Sequence, residues 1–179
     1  MRVISGTARG RKLVDTSRMD LRPTSAMVKE SIFNIVQFDI EGRRVLDLYA
    51  GTGQLGIEAL SRGARSAVFV DFSSDAIKTI HSNLKLCGFS ESSKVLRREA
   101  LRFIETCEEF DLIFLDPPYA TTLAAETINK IIEFDKLNTN GIIICETKSD
   151  SAAQAIKPPY LLEKEYIYGS VKISRITRE

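Results

Sequence analysis

An acid, two prolines and a tyrosine directly follow an apolar stretch in FDLIFLDPPYA, residues 110–120. A buried strand needs no such ending, because proline cannot donate to a sheet ladder and two in succession hold the backbone extended and stiff. A rigid loop therefore presents Asp116, Pro117, Pro118 and Tyr119. The Asp116 carboxylate and the Pro117 carbonyl are hydrogen-bond acceptors, and Tyr119 offers a flat surface on which a ring can stack.

A glycine-rich stretch, VLDLYAGTGQLGIEAL, occupies residues 45–60. Gly51, Gly53 and Gly56 match GxGxxG between a strand pattern and a helix pattern, and Asp71 ends the next strand pattern. Glycines in such a loop let the backbone turn tightly and approach a ligand, and an acid at the second strand end suits ribose hydroxyls. Alone, this match also fits a nicotinamide dinucleotide.

Asp47 separates the two kinds of ligand, because it lies four residues before Gly51 at the mouth of the first strand. A carboxylate there repels a pyrophosphate but attracts a cationic ligand such as S-adenosylmethionine, with its ammonium and sulfonium groups. Asp47, Asp71 and Asp116 end three strand patterns, and open α/β sheets bind ligands at the carboxyl ends of strands. We therefore predict S-adenosylmethionine as the cofactor. Capping of a turn by Asp47 is the structural alternative.

Together these groups predict methylation of an exocyclic amine on a nucleic-acid base. The amine nitrogen is a poor nucleophile because its lone pair is delocalised into the ring. The Asp116 carboxylate and the Pro117 carbonyl would accept hydrogen bonds from its two N–H groups and favour a pyramidal nitrogen. Stacking of the base on Tyr119 is worth about 1–3 kcal/mol. Alignment of reactants can supply about 7–11 kcal/mol of barrier lowering. The base must first leave a duplex or already lie in a loop.

The elements that position these residues alternate between strand and helix patterns from residue 43 onward. Strands are predicted at 43–48, 66–71, 94–99, 110–116 and 141–146. The helix that follows the first strand ends at Arg62-Gly63. A second helix starts at the Ser73-Ser74 cap signal, and another starts near Thr122. This alternation predicts an α/β fold with a doubly wound, mostly parallel seven-stranded sheet, the Rossmann-like arrangement of class I methyltransferases.

The two ends of the chain follow other patterns. Strand patterns on both sides of Gly169-Ser170 predict an antiparallel C-terminal hairpin at one edge of the sheet. Residues 2–14 predict a short hairpin, and a helix is predicted after Pro23 with Thr24 as its N-cap. We therefore divide the chain into an N-terminal basic extension, residues 1–40, and a methyltransferase domain, residues 41–179.

Composition favours a soluble globular chain with a sizeable core, with 44% hydrophobic and 27% charged residues. No stretch approaches the ~18 apolar residues of a membrane span, and the N-terminus lacks a signal-peptide pattern, so we expect a cytoplasmic protein with no membrane partner. The three cysteines form no CxxC pair, and His81 is the only histidine. Neither a metal site, nor disulfides, nor histidine catalysis is expected, and a monomer is the expected oligomeric state.

Charge is unevenly distributed, although the formal net charge is only +1. Residues 1–29 hold seven basic and two acidic side chains. Such a segment is either a solvated surface or a basic patch for an anionic partner. The basic residues are Arg2, Arg9, Arg11, Lys12, Arg18, Arg22 and Lys29.

These motifs resemble a known family. DPPY after the fourth strand, with the glycine loop, resembles the amino-methyltransferases of nucleic-acid bases. RVISGTARGRKL and LRPTSAMVKESIFNIV resemble more specifically the RsmD-type methyltransferases, which methylate guanine N2 in 16S ribosomal RNA. The resemblance covers nearly the whole chain, including LDLYAGTGQLGIEALSRGA. It implies an S-adenosylmethionine-dependent rRNA (guanine-N2-)-methyltransferase whose partner is ribosomal RNA in the small subunit or its assembly intermediate.

The resemblance also implies roles for individual residues. The target guanine would be held by the catalytic residues Asp116, Pro117, Pro118 and Tyr119. The cofactor would be bound by Asp47, Tyr49, Gly51, Gly53, Asp71, Phe72, Glu99 and Ala100. Relatives often carry Asp or Asn in place of Glu99. The RNA would be bound by Arg2, Arg9, Arg11, Lys12, Arg22, Thr24 and Asn34.

Three other interpretations remain open. A DNA adenine-N6 methyltransferase uses the same acid-proline-proline-aromatic chemistry, but usually carries a target-recognition insert for which this chain has no room. A dehydrogenase leaves DPPY and the basic head unexplained. A non-catalytic RNA-binding or ribosome assembly factor would retain its biological activity when Asp116 is replaced by alanine.

Overall fold

Alternating apolar patterns give alternating strands and helices in the computed structural model, which describes residues 1–15, 26–118, 122–152 and 155–179. The helices are α1 (Ala26–Ile35), α2 (Gln54–Ser61), α3 (Ser74–Cys87), α4 (Ala100–Thr106) and α5 (Leu123–Glu133). The strands are β1 (Arg44–Leu48), β2 (Ser66–Asp71), β3 (Ser93–Arg97), β4 (Phe110–Leu115), β5 (Leu137–Lys148), β6 (Tyr160–Tyr168) and β7 (Val171–Arg178).

The strands form one seven-stranded sheet in the order β3-β2-β1-β4-β5-β7-β6. The first five strands are parallel, and β7 is antiparallel to both β5 and β6. In β4, Leu112–Leu115 are buried, as expected for a central parallel strand that is covered on both faces. The predicted fold class, including the antiparallel C-terminal hairpin, is confirmed.

Two apolar layers cover the sheet. On one face, side chains of α1, α2 and α3 pack with residues 1–15, which we call the N-terminal segment. The Phe33 and Phe114 rings meet on this face with centroids 5.6 Å apart. On the other face, α4 and α5 bury Phe103, Ile104, Ile128 and Ile131. The carboxyl ends of the parallel strands are thus left between two helical layers, where a ligand site can form.

Two helix ends follow the sequence signals, whereas the bounds of β3 and β5 differ from the prediction. The Ser73 side chain accepts a hydrogen bond from the Ala76 N–H, which makes it the N-cap of α3, and Gly63 follows α2 with φ 97°. β3 ends at Arg97 and not at the predicted residue 99, because Glu99 is the N-cap of α4. β5 is longer than predicted, because Leu137 pairs with Phe110 across a register shift.

The N-terminal segment is only partly a hairpin. It has a single antiparallel bridge, between Arg2 and Lys12, and turns lie between these residues. Val3, Ala8 and Leu13 are buried in the same apolar cluster as α1 and α2. The predicted N-cap Thr24 lies outside the described residues.

Candidate active site

Three carboxylates meet where β1, β2 and β4 end. Asp47 is the penultimate residue of β1, Asp71 is the last of β2, and Asp116 directly follows β4. Leu48 pairs with Val70 on one side and with Leu115 on the other, so Asp71 and Asp116 flank the exit of β1. The topology therefore brings together three predicted site residues that lie up to 69 positions apart in the chain.

The glycine loop leaves β1 between these acids. Tyr49, Gly51 and Gly53 have φ of 60°, 54° and 76°, a left-handed region that glycine enters without a steric cost. The Gly51 N–H donates to Asp71 Oδ2 at 2.9 Å, and the Gly53 N–H donates to the Ala50 carbonyl at 2.7 Å. The end of β2 and the loop after β1 are thus fixed to each other before any ligand arrives.

Gly56, the third glycine of the motif, allows α2 to approach the sheet. A Cβ placed on Gly56 would lie 2.3 Å from the Phe69 ring, closer than atoms can pack. The Gly56 N–H donates to Asp47 Oδ2 at 2.8 Å. Asp47 Oδ2 therefore accepts from an N–H in the first turn of α2, which agrees with the structural alternative that Asp47 caps a turn. The other carboxylate oxygen, Oδ1, takes no part in that hydrogen bond.

Asp47 is only 2% exposed, and its carboxyl group lies near two other carboxylates. Burial raises its pKa well above the ordinary value, the Gly56 N–H opposes that rise, and the charges of Asp116 and Asp71 add to it. Ionised Asp47 is thus destabilised by its surroundings. A cation placed beside it would relieve that cost, whereas an anion would increase it.

Asp71 and the residue after it form the rim above β2. Asp71 Oδ1 accepts from the Ser73 N–H at 2.8 Å, so both carboxylate oxygens are oriented by backbone groups. The side chain of Phe72 is 72% exposed beside them, which is unusual for phenylalanine and leaves its ring free to contact a ligand. Ala100 is buried, and Glu99 is exposed and pairs with Arg102 at 3.2 Å.

Tyr49 turns away from this rim. Its hydroxyl lies 2.7 Å from Thr127 Oγ1 of α5, and burial raises its pKa. A contact of Tyr49 with the cofactor, as the resemblance implied, would therefore come from its backbone or ring and not from its hydroxyl.

The loop after β4 is described as far as Pro118. Asp116 is half-buried, Pro117 is buried and Pro118 is exposed. Tyr119 lies outside the described residues. The charge of Asp116 raises the pKa of Asp47, so the two carboxylates lie close enough to interact electrostatically.

The N-terminal segment lies against α2, on the face of the sheet that the glycine loop adjoins. The Ile4 and Ser5 N–H groups donate to Glu58 at 2.8 and 2.9 Å, and the Ala8 N–H donates to Ser61 Oγ at 3.0 Å. The predicted RNA-binding side chains that the structure describes are all exposed: Arg2, Arg9, Arg11, Lys12 and Asn34. Arg22 and Thr24 lie outside the described residues, as does Arg18.

Asn83 is a site residue that the sequence interpretation missed. It is fully buried in α3, accepts from the Val14 N–H at 2.7 Å, and donates to the carbonyls of Val14 at 3.1 Å and Thr52 at 2.9 Å. It thus joins the end of the N-terminal segment to the middle of the glycine loop. The available signal was a polar residue beside Leu84 on the apolar face of α3.

The described ranges lack both a metal cluster and a membrane-spanning helix. They contain no group of three or more His, Cys, Asp or Glu side chains placed to hold a metal ion. None of their helices is both long and apolar enough to cross a membrane.

The chain is similar to known proteins over most of its length. The family model described as "Conserved hypothetical protein 95" matches residues 1–176. Ribosomal RNA small subunit methyltransferase D of Haemophilus influenzae is 37% identical over 154 residues, 84% of this chain and 80% of that protein. The protein of the same name in Escherichia coli K12 is 30% identical over 180 residues, 100% of this chain and 90% of that protein.

The chain is also similar to solved structures. The Escherichia coli protein yhhF, described as a candidate methyltransferase, superposes with a TM-score of 0.89 at 30% identity, covering 100% of this chain and 98% of that one. A more distant candidate methyltransferase, SMU.776, was solved with S-adenosylhomocysteine and has a TM-score of 0.73 at 14% identity, covering 88% of this chain and 51% of that one. This second likeness concerns the fold alone.

Proposed function

Because the chain belongs to the RsmD family, described as conserved hypothetical protein 95, we propose that it methylates the exocyclic N2 amine of a guanine in 16S ribosomal RNA. S-adenosylmethionine is the methyl donor. The observation that carries this proposal is the meeting of Asp47, Asp71 and Asp116 around the glycine loop. Three acids at the carboxyl ends of neighbouring strands favour a cationic ligand. They disfavour a dinucleotide, because its pyrophosphate is negatively charged.

The residues present fit this donor, which when bound supplies a methyl group on a positively charged sulfur. Asp71 is oriented by two backbone N–H groups and suits the ribose hydroxyls. Phe72 and Ala100 border the place of the adenine, with Glu99 beside them. Asp47 is the buried negative charge that attracts the cation, and Gly51 and Gly53 allow the close approach of the backbone.

The Asp116 carboxylate and the Pro117 carbonyl accept hydrogen bonds from the two N–H groups of the guanine amine. These bonds direct the lone pair of the nitrogen toward the methyl carbon. As the new N–C bond forms, the C–S bond breaks and its electron pair remains on sulfur. The methylated nitrogen then has one proton too many, and Asp116 accepts or relays that proton. A carboxylate of ordinary basicity is sufficient, because the amine becomes acidic only once it is methylated.

The extension of residues 1–40 is proposed to hold the RNA, through its exposed basic side chains. The proposed substrate is RNA within the small subunit or an assembly intermediate, and the proposed enzyme is a cytoplasmic monomer. Each phosphate contact would weaken with salt, because it releases a bound counterion.

The test is methyl transfer from radiolabelled S-adenosylmethionine, followed by nucleoside analysis of the product. Undermethylated small subunits, naked 16S ribosomal RNA and duplex DNA are compared side by side. Label in N2-methylguanosine of the subunit or its RNA is expected. Label in N6-methyladenine of DNA would support the DNA enzyme, and absence of label despite cofactor binding would contradict the proposal.

Asp47→Asn is expected to weaken S-adenosylmethionine binding by about 10–100-fold, the range for loss of a charge-assisted contact of about 1.5–3 kcal/mol. The raised pKa of Asp47 means that ionising it destabilises the free protein, so the unfolding free energy falls as pH rises through that pKa. Cofactor affinity should rise over the same pH range, because the cation binds the ionised form.

Calorimetric titration and thermal unfolding at several pH values check both effects. Asp47→Asn should flatten both pH dependences, and at high pH the free variant should be no less stable than the wild type while binding the cofactor more weakly. Asp75→Asn removes an exposed carboxylate from α3 and serves as the control. Wild-type affinity in Asp47→Asn would contradict the role given to this residue.

A further inference from the structure

A second cluster of basic side chains, distinct from the N-terminal extension, lies at the edge of the sheet beside the candidate active site. Arg97 ends β3, the edge strand, Arg98 follows it, and Arg102 lies in the first turn of α4. All three are exposed. We call Arg97, Arg98 and Arg102 the edge arginines.

Backbone and side-chain contacts fix the edge arginines to the rim of the cofactor site. Arg97 pairs in register with Asp71, and its Nε donates to the Phe72 carbonyl at 3.1 Å. The Arg98 N–H donates to the Asp71 carbonyl at 3.0 Å. Their position is therefore set by the same residues that border the predicted cofactor site.

The charge of this cluster is incompletely neutralised. In the part of the chain that the structure describes, Arg102 pairs with Glu99, and both side chains are exposed, so that pair is weak. The Arg97 and Arg98 side chains form no ion pair within the same ranges. Two positive charges thus stand at the active-site edge of a chain whose net charge is only +1.

We propose that Arg97 and Arg98 form a second RNA-binding surface, which contacts phosphates on the far side of the cofactor site from the target base. This inference rests on the proposed function. β3 lies three strand spacings from β4, about 15 Å at ~4.8 Å each. For a strand that rises about 3.4 Å per nucleotide along its helix axis, as in a B-form helix, this span corresponds to roughly four nucleotides from the guanine held by Asp116.

Such contacts explain how a small enzyme orients its RNA. The N-terminal extension packs against α2 and α3, while the edge arginines lie beyond β2 at the end of the sheet. An RNA strand that crosses the carboxyl ends of the strands would meet positive charge at both points. Two separated contacts fix the direction of the strand, which one contact cannot do.

The test measures RNA binding and methyl transfer separately. Binding of naked 16S ribosomal RNA is followed by fluorescence anisotropy in the presence of S-adenosylhomocysteine, over a range of salt concentrations. Arg97→Ala/Arg98→Ala should weaken binding about 10-fold or more. The plot of log affinity against log salt should become shallower by about 1.4–1.8, from roughly 0.7–0.9 per lost phosphate contact. Cofactor affinity should not change in Arg98→Ala, because only the backbone of Arg98 contacts the rim of the cofactor site.

Arg65→Ala is the matched control for Arg98→Ala. Arg65 is also exposed, but it precedes β2 and so lies at the amino ends of the parallel strands, opposite to the candidate active site. The described residues give its side chain no partner. Equal RNA affinity and equal salt slope in the two single variants would overturn the inference. Failure of the wild type to methylate any RNA would instead refute the proposed function, and the binding measurement would still decide whether this surface holds RNA.

Discussion

Asp116→Ala is expected to lower kcat for methyl transfer by about 10²–10⁴-fold, the usual range for loss of a positioned proton acceptor. The loss has two physical sources. The variant no longer accepts an N–H of the target amine, so the lone pair is not aligned, and no carboxylate is present to take the proton afterwards. Asp116→Asn keeps one acceptor oxygen and should lie between alanine and the wild type.

Cofactor affinity should change by about threefold or less in the same variant. Asp116 follows β4, whereas the cofactor contacts are assigned to the ends of β1, β2 and β3. Its removal also takes away a charge that raises the pKa of Asp47, which makes ionisation of Asp47 easier. The Asp47 and Asp116 variants should therefore lose different properties, the first binding and the second turnover.

Single-turnover methylation and calorimetric titration of S-adenosylmethionine measure the two properties. Asp75→Ala, which removes an exposed acid that pairs with Lys78, should match the wild type in both. If Asp116→Ala lost as much cofactor affinity as Asp47→Ala, the separation of roles would be wrong.

Much of the fold could be predicted because its signals are local. Ser73 caps α3, Gly63 follows α2 with a positive φ, and Gly169-Ser170 connect β6 to β7, each as residue type alone indicates. Parallel strands that are buried on both faces also leave apolar runs that are easy to recognise. The predicted end of β3 lies two residues beyond the observed one, because residue 99 continues the strand pattern but caps α4 in the structure.

The acids of the site could be predicted because strand ends in a parallel sheet share one edge. Their supporting contacts could not. Asn83 bonds to Val14 and Thr52, which lie 69 and 31 positions away, and no local pattern specifies such partners. The residue roles themselves remain predictions that the variants above test.

Lys29 shows the limit of counting charges along a chain. The sequence places it in the basic head, yet it is 2% exposed and pairs with Glu58 at 2.9 Å. Its charge is therefore neutralised in the interior and contributes nothing to a basic surface. Helical spacing gave the necessary signal, because Lys29 lies between Val28 and Ile32 on the apolar side of α1.

Glu58→Ala is expected to reduce the unfolding free energy by about 3–5 kcal/mol, or roughly 6–20 °C in Tm for a chain of this size. Glu58 has no exposed surface, and its carboxylate accepts from Ile4, Ser5, Lys29 and Arg62 at 2.8–3.0 Å. Its removal leaves the Lys29 ammonium buried without a counterion and two backbone N–H groups without an acceptor. Glu108→Ala breaks an exposed ion pair with Arg44 and should cost about 1 kcal/mol or less.

The pH dependence of stability identifies the charge as the cause. Burial alone would raise the pKa of Glu58, but Lys29, the Ile4 N–H and Arg62 outweigh it, so the pKa lies below its ordinary value. A lowered pKa stabilises the fold above the ordinary value of about 4.5, and that stability is lost as pH falls through the folded-state pKa. Glu58→Gln should therefore lose stability at neutral pH and lose less of it on acidification than the wild type does. A parallel acid response in the two proteins would show that packing, and not the carboxylate charge, fixes the N-terminal segment on α2.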